Sequence, residues 1–198
     1  MSLETLKSRL VERLAPIDSW RPGVRPARSD FDLNPTMNRV KAELRPAAVL
    51  VPVVARAEGA TVLLTRRADT LASHTGQIAF PGGRLDPGED AVTAALREAD
   101  EEVALAPAAV EVLGLSDAYE TGTGFLVTPV VGWLREPPRV TPSPDEVAEV
   151  FETPWDFLMD AANHRQDFYD VDAGLRRWFW AMPWGERYIW GATAGILK

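Results

Sequence analysis

Residues 82–105, GGRLDPGEDAVTAALREADEEVAL, limit what this chain can become more than any other stretch. A glycine pair opens it and Pro87-Gly88 makes a bend. Glu89 and Asp90 then stand where a helix start favours negative charge. Pro107 lies just beyond the expected helix end. At about 100° per residue, Val92, Leu96, Ala99 and Val103 fall on one stripe, which is expected to face a core. Glu98, Glu101 and Glu102 fall on another, at spacing i, i+3, i+4, so their side chains are neighbours. Three adjacent carboxylates weaken a helix unless a cation removes their repulsion. Hard oxygen ligands suit Mg²⁺ or Mn²⁺, whose shells water and phosphate can complete. Ala91, Ala94 and Ala95 are small enough to leave room for such a shell. The competing reading of the triad alone is a solvated acidic face.

The surrounding spacing decides between the two. Gly83, Glu89, Arg97, Glu98, Glu101 and Glu102 fall in the register G-x5-E-x7-R-E-U-x-E-E-x-G-U, where U is a bulky aliphatic. At about one in twenty per position, a chance match in a chain this long is on the order of 10⁻⁵. The pattern resembles the Nudix box. Two positions depart from it: Ala99 replaces the first bulky aliphatic and Ala104 the late glycine. Ala99 should lose packing and Ala104 should shift the helix exit, and neither removes a ligand.

A second stretch precedes the box. Leu63, Leu64, Thr65, Arg67, Ala68, Gly76, Phe80, Pro81, Gly82 and Gly83 resemble the signature of the coenzyme A pyrophosphatase branch of that family. Ala72 stands where the branch has arginine. Residues 127–131 (VTPVV), Glu146-Val147 with Phe151, and Trp190-Gly191-Ala192-Thr193 are similar to later branch features. The resemblance covers about residues 46–195. It implies an α/β/α sandwich of α+β class around a central mixed sheet, with an added N-terminal helix. Residues 1–45 would be helix and proline-rich connector within a single domain spanning 1–198.

The same resemblance implies site roles. Glu98 and Glu102 would be metal ligands, with Glu101 a further ligand or the group that poises the attacking water. A backbone carbonyl at Gly82 or Gly83 would complete the shell. Arg97 would pair with Glu89 and hold the loop against the helix. Arg67, Arg66 and Arg84 lie near the box and are the expected phosphate contacts, Arg67 first. Glu120 is the first candidate for an extra base, with Glu146 and Glu149 behind it. His74 is equally a structural histidine or a ligand contact. The implied reaction is hydrolysis of the pyrophosphate of coenzyme A or its thioesters, with Mg²⁺ or Mn²⁺. If the arginine missing at Ala72 reads a phosphate, an ADP-ribose or NADH-type substrate is the alternative. A Nudix-fold binding module without catalysis is the reading from a different class, and the intact glutamates argue against it.

Composition narrows the rest. An apolar fraction of 46% argues against disorder, and a net charge of −8 against binding nucleic acid through a basic surface. There is no cysteine, and His74 and His164 are the two histidines, so thiolate chemistry is excluded and a histidine-built zinc site is not expected. No apolar run approaches the roughly 20 residues of a membrane span, and charges interrupt the first leucines, unlike a signal peptide. A cytoplasmic protein is the expectation.

Along the chain, Leu3, Leu6, Leu10, Val11 and Leu14 keep helical spacing. That predicts an amphipathic helix docked on the body, with a dimer contact or a membrane-surface helix as alternatives. A homodimer is expected from the habits of relatives. Residues 47–55 and 61–65 read as buried strands of a hairpin. Strands are also expected at 78–80, 110–119, 125–134 and 147–151, a short helix from Pro154, and a late hairpin turning at Trp184-Gly185. Five tryptophans, Trp155, Trp178, Trp180, Trp184 and Trp190, lie after residue 150. They are read chiefly as core packing, with one or two lining a pocket.

Overall fold

The computed structural model describes all residues except 25, 27, 40–42, 69–75 and 172–173. Ala72 and His74 therefore lie outside the described residues. In chain order, α1 (Leu3–Arg13) leads to the short strand β1 (Arg28–Ser29), and then come β2 (Arg45–Arg56) and β3 (Gly59–Arg67). Next come β4 (Ile78–Ala79), β5 (Gly82–Arg84), α2 (Ala91–Val103), β6 (Glu111–Leu115), β7 (Tyr119–Glu120) and β8 (Phe125–Leu134). The chain closes with β9 (Val147–Pro154), α3 (Trp155–Met159), β10 (Arg165–Val171), β11 (Leu175–Trp184), β12 (Arg187–Trp190) and α4 (Ala192–Leu197).

Strand β2 is the axis. It runs parallel to β8 along one edge, and its other edge is shared. The early half pairs with β5, Ala48 opposite Gly83, and the late half with β3, Val53 opposite Val62. Both faces of β2 are buried, which is why its sequence is a continuous apolar run. Ala48, Leu50 and Val54 point to one core, and Val51 and Val53 to the other. Helix α2 covers the first core. Leu6 of α1, Leu158 of α3, Ala194 of α4 and Met182 of β11 close the second. The result is a mixed central sheet between layers, of α+β class, as expected.

Helix α2 starts where the sequence says it should. Asp90 caps it, its Oδ1 accepting the Thr93 N–H at 2.8 Å. Its buried seam keeps Ala99 and Val103 of the expected stripe but is centred one step round the helix. Ala91, Ala94, Ala95 and Ala99 are fully buried against the sheet, while Val92 and Leu96 are half-exposed. The alanines do not leave space for a metal shell; they let the helix backbone lie close on β2 and β5. At the exit, Ala104 takes the left-handed conformation itself, with φ 54° and ψ 34°. The helix end keeps the geometry that glycine would favour, at the steric expense of a Cβ.

Other departures have local causes. The expected strand over 110–119 is two strands, because residues 116–118 leave the sheet between them. The late hairpin turns at Gly185-Glu186 and gains a third strand, β10, so it forms its own antiparallel sheet. The alternation of apolar and polar residues in β10 is too weak to mark a strand by itself. Helix α1 docks on the body: Leu6 is buried, Leu3, Leu10 and Leu14 pack beside it, and Lys7 meets Glu111 at 2.6 Å. The proline-rich connector is also tied down. Asn34, buried, donates to the carbonyls of Asp30 and Trp178 at 2.7 and 2.8 Å and accepts the Trp178 N–H at 2.8 Å.

Candidate active site

The loop through β5 meets helix α2 at two glycines with different duties. A Cβ at Gly82 would stand 2.4 Å from the backbone oxygen of Ala48, so this residue lets the loop lie on β2. A Cβ at Gly83 would stand 2.3 Å from Glu98 Oε1. Gly83 therefore lets the Glu98 carboxylate rest against the loop backbone. One turn along the helix, Glu102 Oε2 accepts the Gly82 N–H at 3.3 Å. Two carboxylates thus share one Gly-Gly cradle.

Their electrostatics follow from that crowding. Glu102 is 4% exposed. Its pKa is pushed up to about 8, first by burial and then by the charge of Glu98, with Arg67 and the Gly82 N–H pulling the other way. Glu98 is also raised, chiefly by burial, against the opposing pull of Arg97. The charge of Glu146, from the loop before β9, raises both. This is a donor set that a divalent cation fits: two hard oxygen ligands, mutually repelling, beside a glycine backbone.

Arg97 organises the rim. Its Nε and Nη2 grip the two oxygens of Glu89, each at 3.0 Å. Nη1 reaches Glu98 Oε1 at 2.9 Å and Glu101 Oε2 at 3.0 Å, and Nη2 also donates to the Arg84 carbonyl at 3.1 Å. Arg97 keeps its proton more firmly than usual, first through Glu89, and Glu89 is held below the usual carboxylate range, first through Arg97. Glu89 Oε2 accepts the Asp86 N–H at 2.9 Å, so the pair pins the bend to the helix. Glu101 is turned outward to Arg97, with its side chain 58% exposed. Among the described residues no three acidic or histidine side chains converge at metal-holding spacing, and Glu98 and Glu102 form the compact pair.

The remaining expected residues separate clearly. Arg67 is half-buried, acts on Glu102 through its charge, and has a buried Nε with no hydrogen-bond partner among the described residues. Arg66 lies 3.9 Å from Glu149, which is itself paired with Arg187. Arg84 is exposed, its guanidinium 5.4 Å from the centre of the Phe125 ring. Glu120 is fully buried on β7 and paired with Arg39 at 3.1 Å. Glu146, exposed, is the loop carboxylate whose charge reaches the cradle.

Much of the stretch before the box turns out to build the scaffold. Leu63, Leu64 and Phe80 are core, Thr65 Oγ1 bonds the Ala79 carbonyl at 3.2 Å, and Thr193 Oγ1 bonds the Ile78 carbonyl at 3.0 Å. Trp155 and Trp180 pack on the second core, while Trp190 lines an open cavity. Sequence reasoning missed Asp30, Phe125 and Arg177 at that cavity. Asp30 and Arg177 carry no motif, since their pairing brings distant segments together.

A strand-loop-helix unit with two helix glutamates on a Gly-Gly cradle, an arginine-locked bend and a mixed sheet behind it defines a class. The model of the NUDIX domain matches residues 44–179, and this chain belongs to the Nudix family. It is a pyrophosphohydrolase of that family, acting on small molecules, and Nudix hydrolases generally need a divalent cation. The chain is 46% identical over 169 residues to the uncharacterized Nudix hydrolase NudL of Cronobacter sakazakii, covering 84% of this chain and 86% of that one. It is 43% identical to the protein of the same description from Escherichia coli K12, with the same coverage. Among solved structures, a Caenorhabditis elegans Ap4A hydrolase binary complex matches 58% of this chain and 82% of its own at 25% identity and a TM-score of 0.48. Among the described residues, no helix is long and apolar enough to cross a membrane.

Proposed function

We propose that the protein hydrolyses the pyrophosphate linkage of coenzyme A or its thioesters, with Mg²⁺ or Mn²⁺, giving adenosine 3′,5′-bisphosphate and 4′-phosphopantetheine or its acyl form. The observation that carries the chemistry is the pair Glu98 and Glu102 on the Gly82-Gly83 cradle. Glu98, Glu102 and the Gly83 backbone would hold the cation, with Glu101 a further ligand or the group that poises the attacking water. When bound, the cation neutralises diphosphate charge and lowers the pKa of a bound water. Arg97 and Glu89 keep loop and helix in register so that both carboxylates face one point. Arg67 takes the diphosphate, with Arg84 and Arg66 at its flanks; its Nε, without a hydrogen-bond partner among the described residues, supports that order. For the extra base, Glu146 is a better candidate than Glu120, because it is exposed and electrostatically close, whereas Glu120 is buried against Arg39. The coenzyme A assignment rests on the branch signature around Arg67. The substitution at Ala72 keeps an ADP-ribose or NADH-type substrate as the second reading.

Hydrolysis of coenzyme A, ADP-ribose and NADH is measured side by side with each metal and the products identified. Preferential release of adenosine 3′,5′-bisphosphate supports the first reading. Preferential release of AMP keeps the chemistry and overturns the substrate.

A further inference from the structure

A cavity of about 300 Å³ opens between the start of β8 and the second sheet. Strand register shows which side chains share its wall. Tyr169 lies opposite Arg177, Asp167 opposite Phe179 and Ala181 opposite Trp190, so Tyr169, Arg177, Phe179 and Trp190 stand on one face. Their rings cluster: Phe179 to Trp190 at 4.9 Å, Tyr169 to Phe179 at 5.9 Å. Phe125 lines the cavity from the other sheet.

The polar edge is a neutral pair. Arg177 Nη2 meets Asp30 Oδ2 at 3.1 Å. Asp30 also accepts from the Tyr119 hydroxyl at 2.9 Å and the Gly122 N–H at 2.7 Å. Opposite charges cancel inside the cavity, which suits a flat uncharged ring better than a phosphate. Cationic groups lie outside it instead, Arg45 donating to the Thr123 carbonyl at 2.7 Å. The guanidinium groups of Arg45 and Arg84 sit 3.9 and 5.4 Å from the centre of the Phe125 ring. Arg84 follows Gly83, which touches Glu98. Phe125 therefore joins a ring-lined cavity to a cationic rim and, beyond it, to the carboxylate cradle.

We propose that this cavity takes the nucleobase of the substrate, stacked against Trp190 and Phe125, while the diphosphate runs past Arg84 to Glu98 and Glu102. The inference rests on reading the cradle as the site of diphosphate hydrolysis. Asp30 and Trp190 both lie outside residues 44–179, so two of the walls come from segments beyond the family-matched region. The substrate's other half has a different place available: a mostly apolar trench lined by Val49, Phe80, Ile196 and Arg67, which shares Gln77 with the cavity. A flexible aliphatic amide gains contact there and nothing from stacked rings.

The binding test uses a nucleotide probe, which carries the base under either substrate reading, and a phosphopantetheine probe. AMP and 4′-phosphopantetheine are titrated separately by calorimetry into the wild-type protein, Trp190→Leu and Phe125→Leu, with circular dichroism confirming the fold of each variant. Stacking loss of the usual size weakens AMP binding roughly 5- to 100-fold in either variant, with phosphopantetheine binding unchanged. Phe125 is the safer substitution, since it is half-exposed at the mouth of the cavity. Weakening of phosphopantetheine instead of AMP, equal affinity of all three proteins for AMP, or no AMP binding by the wild type would each overturn the proposal. A wild-type protein that binds AMP through Trp190 but hydrolyses none of the candidate diphosphates would sink the hydrolytic reading and leave the base site standing.

Discussion

Glu102 is where the cost of the site is concentrated. Its folded pKa of about 8 stands above the ordinary 4.5, so the folded state favours the protonated carboxyl. In metal-free protein this contribution is fully present below about pH 4.5 and is lost as pH rises through 8, because the unfolded chain ionises first. Glu89, held low by Arg97, works in the opposite sense and loses its contribution as pH falls. Comparing the wild type with Glu102→Gln isolates the first effect. The wild type should lose stability relative to the variant by a few kcal/mol between pH 6 and pH 9, at about 1.4 kcal/mol per pKa unit. Urea denaturation at both pH values measures it, and a difference independent of pH would refute the assignment. With Mg²⁺ present the wild type should gain thermal stability that the variant does not. Turnover by the variant should fall about 100-fold or more, since each 1.4 kcal/mol of lost stabilisation is tenfold in rate.

The glycines make a second test at the same scale. Gly83→Ala places a methyl group on the end of a movable side chain, Glu98, so the protein should fold and lose most of its activity. Gly82→Ala meets the backbone of Ala48 and should fail as a structural lesion. Soluble yield together with a hydrolysis assay separates them; an active Gly83→Ala protein would remove Glu98 from the cradle argument.

Helix α2 shows what an element can and cannot reveal in advance. The Asp90 cap, the bend before it and the carboxylate spacing were all legible, because each depends on residues within a turn or two of one another. The choice of buried face was legible only in part: Ala99 and Val103 of the expected stripe are fully buried, and Val92 and Leu96 pack at its edge. Hydrophobicity favours Val92 and Leu96, yet the sheet accepts the alanines, because the closeness of β2 and β5 outweighs side-chain bulk. The end of the helix carries a prediction of its own. Ala104 holds φ 54°, a conformation that costs a residue with a Cβ about 1 kcal/mol more than glycine. Ala104→Gly should therefore raise stability by about 1 kcal/mol in urea denaturation, and a destabilised variant would mean that the helix ends differently. Strand β10 and helix α4 stayed hidden for a related reason: their short apolar patterns gain meaning only against β11 and the second core.

At the scale of the whole molecule, the second sheet and the connector depend on each other. Asn34 satisfies both backbone polar groups of Trp178, so it completes the edge of β11 as another strand would. Asn34→Ala leaves those groups and the Asp30 carbonyl short of partners and should cost about 2–3 kcal/mol. Thermal denaturation checks the magnitude, and a change below about 0.5 kcal/mol would show that the connector is held by other contacts. The proline count of the connector spoke only of a linker. Among the described residues the connector is held by a strand pairing and by polar side chains such as Asp30, Asn34 and Arg39, and none of these has a sequence pattern that points to a distant partner.

The Asp30–Arg177 bond joins residues 147 positions apart, whereas Gly82 and Glu102 are separated by 20. A chain emerging from the ribosome therefore completes its carboxylate cradle in sequence long before it can close the ring-lined cavity. On the proposed reading, reactivity is encoded in the middle of the polypeptide and part of the discrimination in segments nearer its ends, Asp30 and Trp190. Mutation there would then retune what is recognised while the hydrolytic centre stays as it is.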